Sequence, residues 1–195
     1  MTRRPRVGVL ALQGAVAAHI AMLEGCGAGA CAVRTASELA SVDALVLPGG
    51  ESTTMWHLLR TSGLVEPLGE RLADGLPALG TCAGMIVLAA EVLDGRADQG
   101  SLGAIDVTVR RNAFGRQIAS FEAPVEIAGV TGAPFPGVFI RAPVVERCEV
   151  DVEVLASVDG RPVAVQQGAV MATAFHPELT ADDRVHRSFV ERLVR

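Results

Sequence analysis

The chain has 195 residues, half of them hydrophobic and a fifth charged, with a formal net charge of −5. That length and composition suit one domain, residues 1–195, with a sizeable buried core, and argue against disorder. The acidic balance offers no basic surface for nucleic acid, and no apolar run reaches the length of a membrane span. Cys26, Cys31, Cys82 and Cys148 include no C-x-x-C pair, which excludes a zinc ribbon or thioredoxin-type site.

The start, Met-Thr-Arg-Arg-Pro-Arg, is basic like that of a signal peptide. The apolar run behind it, Val7–Leu12, is too short for a signal core and Gln13-Gly14 interrupts it, so a cytoplasmic protein with free thiols is expected. Arg6–Leu12 is apolar without alternation, as in a strand buried on both faces of a parallel sheet. Ala15–Leu23 has helical spacing around His19, which reads as a surface or packing histidine. Ala30–Val33 is expected as a second strand, Ala36–Ala40 as a short helix capped by Thr35 or Ser37, and Ala44–Leu47 as a third strand.

Pro48-Gly-Gly-Glu-Ser-Thr-Thr54 follows, a loop able to present backbone amides ahead of a helix over Thr54–Arg60. It lacks the lysine and the spacing of a Walker phosphate loop. Leu64–Leu72 reads as another helix, and Pro77–Leu79 leads into the next turn. Strands alternating with helices predict an α/β fold with a parallel sheet. Beyond it, Ile105–Arg110, Ala123–Ile127, Gly137–Ile140, Val152–Val158, Val163–Gln166 and Val170–Phe175 are strand-like, with Asp159-Gly160 a hairpin turn signal. The second half is therefore expected to add antiparallel strands. A last helix is expected after Thr180-Ala-Asp-Asp183, which resembles a capping box, with Val185, Phe189, Val190, Leu193 and Val194 as its buried stripe.

The chemistry concentrates at Leu79-Gly-Thr-Cys-Ala-Gly-Met85. Cys82 stands two residues from a glycine on either side, between two apolar runs. This Gly-x-Cys-x-Gly pattern is the cysteine version of the strand-to-helix elbow that exposes a nucleophile. A sharp turn needs small neighbours, and the helix behind it aims its N-terminal amides at the sulfur, which favours thiolate. A cysteine nucleophile needs a base, and His176-Pro-Glu178 follows the strand Val170–Phe175. Pro177 keeps His176 extended, and alternation then turns His176 and Glu178 to the same side, where the carboxylate can fix the imidazole tautomer. The other three cysteines are assigned to packing.

Together these segments resemble the class I (triad) glutamine amidotransferases, a single-domain flavodoxin-like sandwich with a mostly parallel central sheet and helices on both faces. Finer details resemble the branch that serves as glutaminase subunit of pyridoxal 5'-phosphate synthase. They are Leu10-Ala-Leu-Gln-Gly14, Pro48-Gly-Gly-Glu-Ser-Thr-Thr54, Arg111-Asn-Ala-Phe-Gly-Arg-Gln117, Phe139-Ile-Arg-Ala-Pro143 and Ala174-Phe-His-Pro-Glu-Leu-Thr180. Ala15 departs from the acidic residue the family often carries after Gln-Gly.

The resemblance implies that Cys82 attacks the side-chain amide of glutamine, His176 moves the proton and Glu178 orients His176. It implies backbone amides of Gly50 and Ala83 as oxyanion donors. Gly50, Glu51, Ser52, Arg111, Ile140 and Arg141 match positions that bind glutamine. No cofactor or metal fingerprint is present. The implied partner is a synthase subunit in a hetero-oligomeric complex that receives ammonia through a protected path. This chain has no lysine for a Schiff base and no phosphate loop, so it would not perform that second half. Two other readings compete: the glutaminase of another biosynthetic amidotransferase, and a catalytically silent regulatory subunit. Intact Cys82, His176 and Glu178 argue against silence.

Overall fold

A computed structural model describes residues 3–111 and 120–194. Residues 112–117 of the Arg111–Gln117 motif lie outside the described residues. The first half runs β1 (Arg6–Leu10), α1 (Val16–Gly25), β2 (Gly29–Val33), α2 (Ala36–Ala40), β3 (Ala44–Leu47), α3 (Ser52–Thr61), α4 (Val65–Ala73), β4 (Ala78–Thr81) and α5 (Ala83–Leu88). The second half holds β5 (Ala89–Leu93), β6 (Ile105–Arg110), β7 (Ser120–Val125), β8 (Phe135–Ile140) and β9 (Val144–Cys148). It continues through β10 (Glu153–Val158), β11 (Arg161–Gln167), β12 (Val170–Thr173), a 3-10 turn (Pro177–Leu179) and α6 (Arg184–Arg192).

The main sheet has the order β10-β11-β12-β4-β3-β1-β2. From β12 to β2 every pairing is parallel, and β10, β11 and β12 pair antiparallel. The strands β3, β4 and β12 are buried along their whole length, as apolar runs covered on both faces must be. The chain steps from β1 outward to β2 and then returns to β3 on the other side of β1. Right-handed crossovers therefore put the connecting helices on opposite faces. Accordingly α1 packs with α6, while α2 packs with α4 and α3 with α5. The loops after β1, β3, β4 and β12 all leave at the carboxyl edge of the parallel strands, where open α/β sheets bind ligands.

Local chemistry explains the boundaries. Thr35 and Glu38 form a reciprocal capping box at α2, an arrangement worth about 1 kcal/mol. Helix α3 begins at Ser52, two residues ahead of the expected Thr54, because the Glu51 carboxylate accepts from the Thr53 and Thr54 amides. Asp159 and Gly160 both have positive φ, 51° and 74°, in the tight turn between β10 and β11, as a type I′ hairpin requires.

The structure departs from or adds to the sequence reading at four points. The apolar run that follows Gly84, Met85–Ala90, is divided between two elements: α5 stops at Leu88 and β5 starts at Ala89, a switch that periodicity cannot show in so short a run. Strands β5 and β9 were not expected, and with β6 they make a second, three-stranded sheet. The Thr180–Asp183 capping box does not form; Asp183 is the N-cap without a side-chain bond, and Thr180 Oγ1 instead accepts from the Asp182 amide. Val194 is half exposed, and the buried stripe of α6 includes His186 in its place.

Candidate active site

Cys82 sits between the end of β4 and the start of α5 with φ 49° and ψ −102°, a strained conformation for an L residue, costing about 1–3 kcal/mol. The surroundings hold it there. The Cys82 amide donates to Thr173 O of β12 at 2.8 Å. A Cβ on Gly84 would lie 2.1 Å from Leu47 O, and one on Gly80 would lie 2.6 Å from Leu88 Cδ1. Only glycines let α5 press this closely on β3 and β4. Ala83 is the first residue of α5, so its N–H has no intrahelical acceptor.

His176 follows β12, and its amide donates to Val138 O of β8 at 2.8 Å. His176 Nδ1 lies 2.8 Å from Glu178 Oε1, and both residues are buried. The two side chains meet through the 3-10 turn, not through extended alternation as the sequence suggested. The Cys82 thiol lines the same cavity as this imidazole. Burial pulls the His176 pKa down, but hydrogen bonding and negative charge at Cys82 and Glu178 outweigh it and push it up to about 10. Burial likewise works against the Glu178 carboxylate, yet the His176 hydrogen bond and the neighbouring imidazoles hold it below the usual carboxylate range.

A cavity of about 150 Å³ opens in front of the thiol, lined by Gly50, Glu51, Ser52, Cys82, Ile86, Arg111, Ile140, Arg141 and His176. All six residues expected to bind substrate therefore border one space with the thiol and the imidazole. Arg111 is nearly buried and donates to Glu51 Oε1 at 2.8 Å. The same Glu51 carboxylate caps α3, and those hydrogen bonds hold it below the usual range although burial opposes them. Arg141 adopts φ 44° just beyond β8, and the Ile140 carbonyl lies 3.8 Å from Cys82 Sγ. A roomier groove of about 570 Å³ beside Ile127 and Phe135 contains none of these residues.

Several residues given no catalytic or binding role by sequence shape the site. The Gln13 side-chain amide brackets the Glu51 backbone, donating to its carbonyl at 3.2 Å and accepting from its N–H at 3.3 Å. Gly49 lies against the His176 ring. Ile86 lines the cavity one helical turn beyond Cys82. His19 is fully buried behind Glu178, so the packing alternative holds and the surface alternative does not. The Gln13-Gly14 and Gly49-Gly50 turns were visible signals; nothing local marked His19 or Ile86. Among the described residues no cluster of His, Cys, Asp or Glu suits a metal ion, and no helix is long and apolar enough to cross a membrane.

A thiol strained at a strand–helix elbow, facing one cavity with an imidazole that a buried carboxylate holds, is the arrangement of cysteine-nucleophile acyl-transfer enzymes. Comparison with known proteins narrows the class. The profile of the SNO glutamine amidotransferase family matches residues 9–195, and the chain belongs to that family. The pyridoxal 5'-phosphate synthase subunit PdxT of Acidothermus cellulolyticus is 62% identical over 97% of this chain and 94% of its own length. The subunit of the same name from Mycobacteroides abscessus is also 62% identical, over 96% of each chain. A crystal structure described as a glutamine amidotransferase is 48% identical and superposes with a TM-score of 0.90, covering 96% of this chain and 98% of that one. A chain in the structure of PurLQS from Thermotoga maritima shares the fold at 16% identity and a TM-score of 0.67, covering 98% of this chain and 98% of that one.

Proposed function

We propose that this chain, a single domain over residues 1–195, hydrolyses L-glutamine to L-glutamate and ammonia in the cytoplasm. It hands the ammonia to a separate synthase subunit that builds pyridoxal 5'-phosphate. The relatives' shared name supports the pathway. The observation that carries the chemistry is the Cys82 thiol sharing one cavity with the His176 imidazole, which the buried Glu178 carboxylate holds at 2.8 Å, with Arg111 and Arg141 bordering the same space.

In this reading Cys82 Sγ attacks the side-chain carbonyl carbon of glutamine, and its proton resides on His176 Nε2. The oxygen that becomes negative is met by the N–H groups of Gly50 and Ala83; losing one such donor costs about 10²–10³ in rate. Collapse of the tetrahedral intermediate breaks the C–N bond as His176 protonates the leaving nitrogen, giving ammonia and a thioester. His176 then takes a proton from water, whose oxygen attacks the thioester, and glutamate and the free thiol are regenerated. Glu178 holds the imidazole by Nδ1 throughout and stabilises its charged form. An arginine fork suits the α-carboxylate of glutamine, with Glu51, Ser52 and Ile140 around the rest of the amino acid.

Ammonia freed into water at neutral pH would become ammonium, a poor nucleophile, so transfer to the partner must be protected. The lyase step belongs to that partner, because this chain contains no lysine for a Schiff base. The test is glutamine-dependent pyridoxal phosphate formation by the chain mixed with its synthase subunit. Cys82→Ala should abolish it, and added ammonium salt should restore it. Undiminished glutamine-dependent synthesis by Cys82→Ala would sink the nucleophile assignment.

A further inference from the structure

Glu178 uses one oxygen on His176, and its second oxygen is buried without a tight hydrogen bond. His19 Nε2 faces Glu178 Oε2 at 3.4 Å, with both side chains fully buried. His19 Nε2 also lies 3.3 Å from Thr81 Oγ1, and its Nδ1 lies 2.9 Å from His186 Nε2. His186 Nδ1 is buried with no partner. Four elements thus converge behind the thiol: α1 with His19, α6 with His186, β4 with Thr81, and the 3-10 turn with Glu178.

A neutral imidazole carries one N–H, and only one assignment of protons leaves this cluster consistent. If His19 carried its proton on Nδ1, its bare Nε2 would face the Glu178 carboxylate, lone pair against lone pair. His186 would then have to accept at Nε2 and bury an unpaired Nδ1–H. If His19 carries its proton on Nε2, that N–H is shared between Glu178 Oε2 and Thr81 Oγ1. His186 Nε2–H then donates to His19 Nδ1, and what remains unpaired on His186 is only a weak acceptor. An orphaned buried donor is the costlier outcome. We infer that His19 is a positioning residue for the triad: its Nε2–H, fixed in that tautomer by His186, faces Glu178 Oε2 and keeps the carboxylate aligned on His176.

Burial lowers the pKa of His19 to about 4 and that of His186 to about 3, so both are neutral donors at working pH. Glu178 feels His176 and His19; His19 feels Glu178 and His176; His186 feels His19, Glu178 and Asp183. A neutral donor can hold the carboxylate without cancelling the charge that His176 needs.

The role of His19 rests on the glutaminase reading, but its tautomer can be read without it. Two-bond 1H–15N spectra of the histidine-labelled chain distinguish the two neutral forms. His19 should be the Nε2–H tautomer and should not titrate between about pH 5 and 8; an Nδ1–H form overturns the inference. In the complex with the synthase subunit, His19→Leu should lower kcat for glutamine hydrolysis about tenfold with little change in KM. Its acid limb should move to higher pH, because Glu178 protonates more readily. His19→Gln, which keeps a donor, should recover most of the loss. A folded His19→Leu with wild-type kcat and pH profile overturns the inference, as does equal loss in both variants with an unchanged pH profile. A wild-type complex that does not hydrolyse glutamine would sink the glutaminase reading, and the tautomer spectrum would still decide the geometry.

Discussion

Gly49 lies against the imidazole of His176 so closely that a Cβ there would fall 2.3 Å from His176 Cε1 and 2.7 Å from Nδ1. The absence of a side chain at Gly49 is thus what lets the loop after β3 meet the residue that follows β12. Gly49→Ala has to displace either the ring or the loop, and a shift of about 1 Å at a reacting group is worth about 10² in rate. We expect glutamine hydrolysis in the synthase complex to fall by about that factor. The Cys82 thiol should still be alkylated, which separates this effect from unfolding.

Cys82 should show a conflict between stability and activity. Its φ of 49° is accessible to glycine without strain, whereas a cysteine there stores about 1–3 kcal/mol. Cys82→Gly should abolish glutamine hydrolysis while leaving stability in urea unchanged or raised by about 1 kcal/mol, after the lost side-chain packing is allowed for. A drop of several kcal/mol would show that the elbow is not strained.

The Gly50 peptide is braced by Gln13, whose side-chain amide makes both hydrogen bonds to Glu51. A Cβ on Gly50 would lie 2.5 Å from Gln13 Nε2. Gly50→Val should therefore collapse activity even with the partner present. Gln13→Ala, which removes the brace and adds no clash, should cost about tenfold in kcat/KM, the scale of one or two net hydrogen bonds. If glutamine turnover by Gln13→Ala matched the wild type, the brace would have no part in placing the oxyanion donor. Because a glycine pair can reorient its peptide, the free chain is expected to be nearly inactive until the partner docks. Equal turnover by the free chain and the complex would show that no such switch exists.

The buried histidines set an acid limit on stability. In the unfolded chain His19 and His186 should titrate near 6.5, while burial lowers them to about 4 and about 3 in the fold. Between those values the unfolded chain binds more protons, so stability should fall as pH drops from about 6.5 toward 4. His176 acts in a different window. Its pKa is raised to about 10, so its contribution is complete below about 6.5 and fades as pH rises toward 10. Unfolding midpoints measured across pH should flatten on the acid side in the His19→Gln, His186→Gln double variant.

Much of this protein could be read from its sequence because the signals are local. Val7–Leu10, Ala44–Leu47 and Val170–Ala174 are apolar runs that only a doubly covered sheet can bury, and Gly80 and Gly84 around Cys82 describe a turn that excludes side chains. The family motifs named the residues that the structure gathers at one cavity, Glu51 and Arg111 among them. What the sequence could not decide depended on meetings between distant segments. The switch from α5 to β5 inside one apolar run is settled by pairing with β6, since periodicity in so few residues is ambiguous. His176 and Glu178 meet through a 3-10 turn, because Pro177 opens that turn where an extended chain was expected. The separation of His19 and His186 by 167 positions leaves no periodic mark. Only the packing of α1 on α6 brings the two rings together behind Glu178, and a buried proton network is fixed by which donors and acceptors end up facing one another.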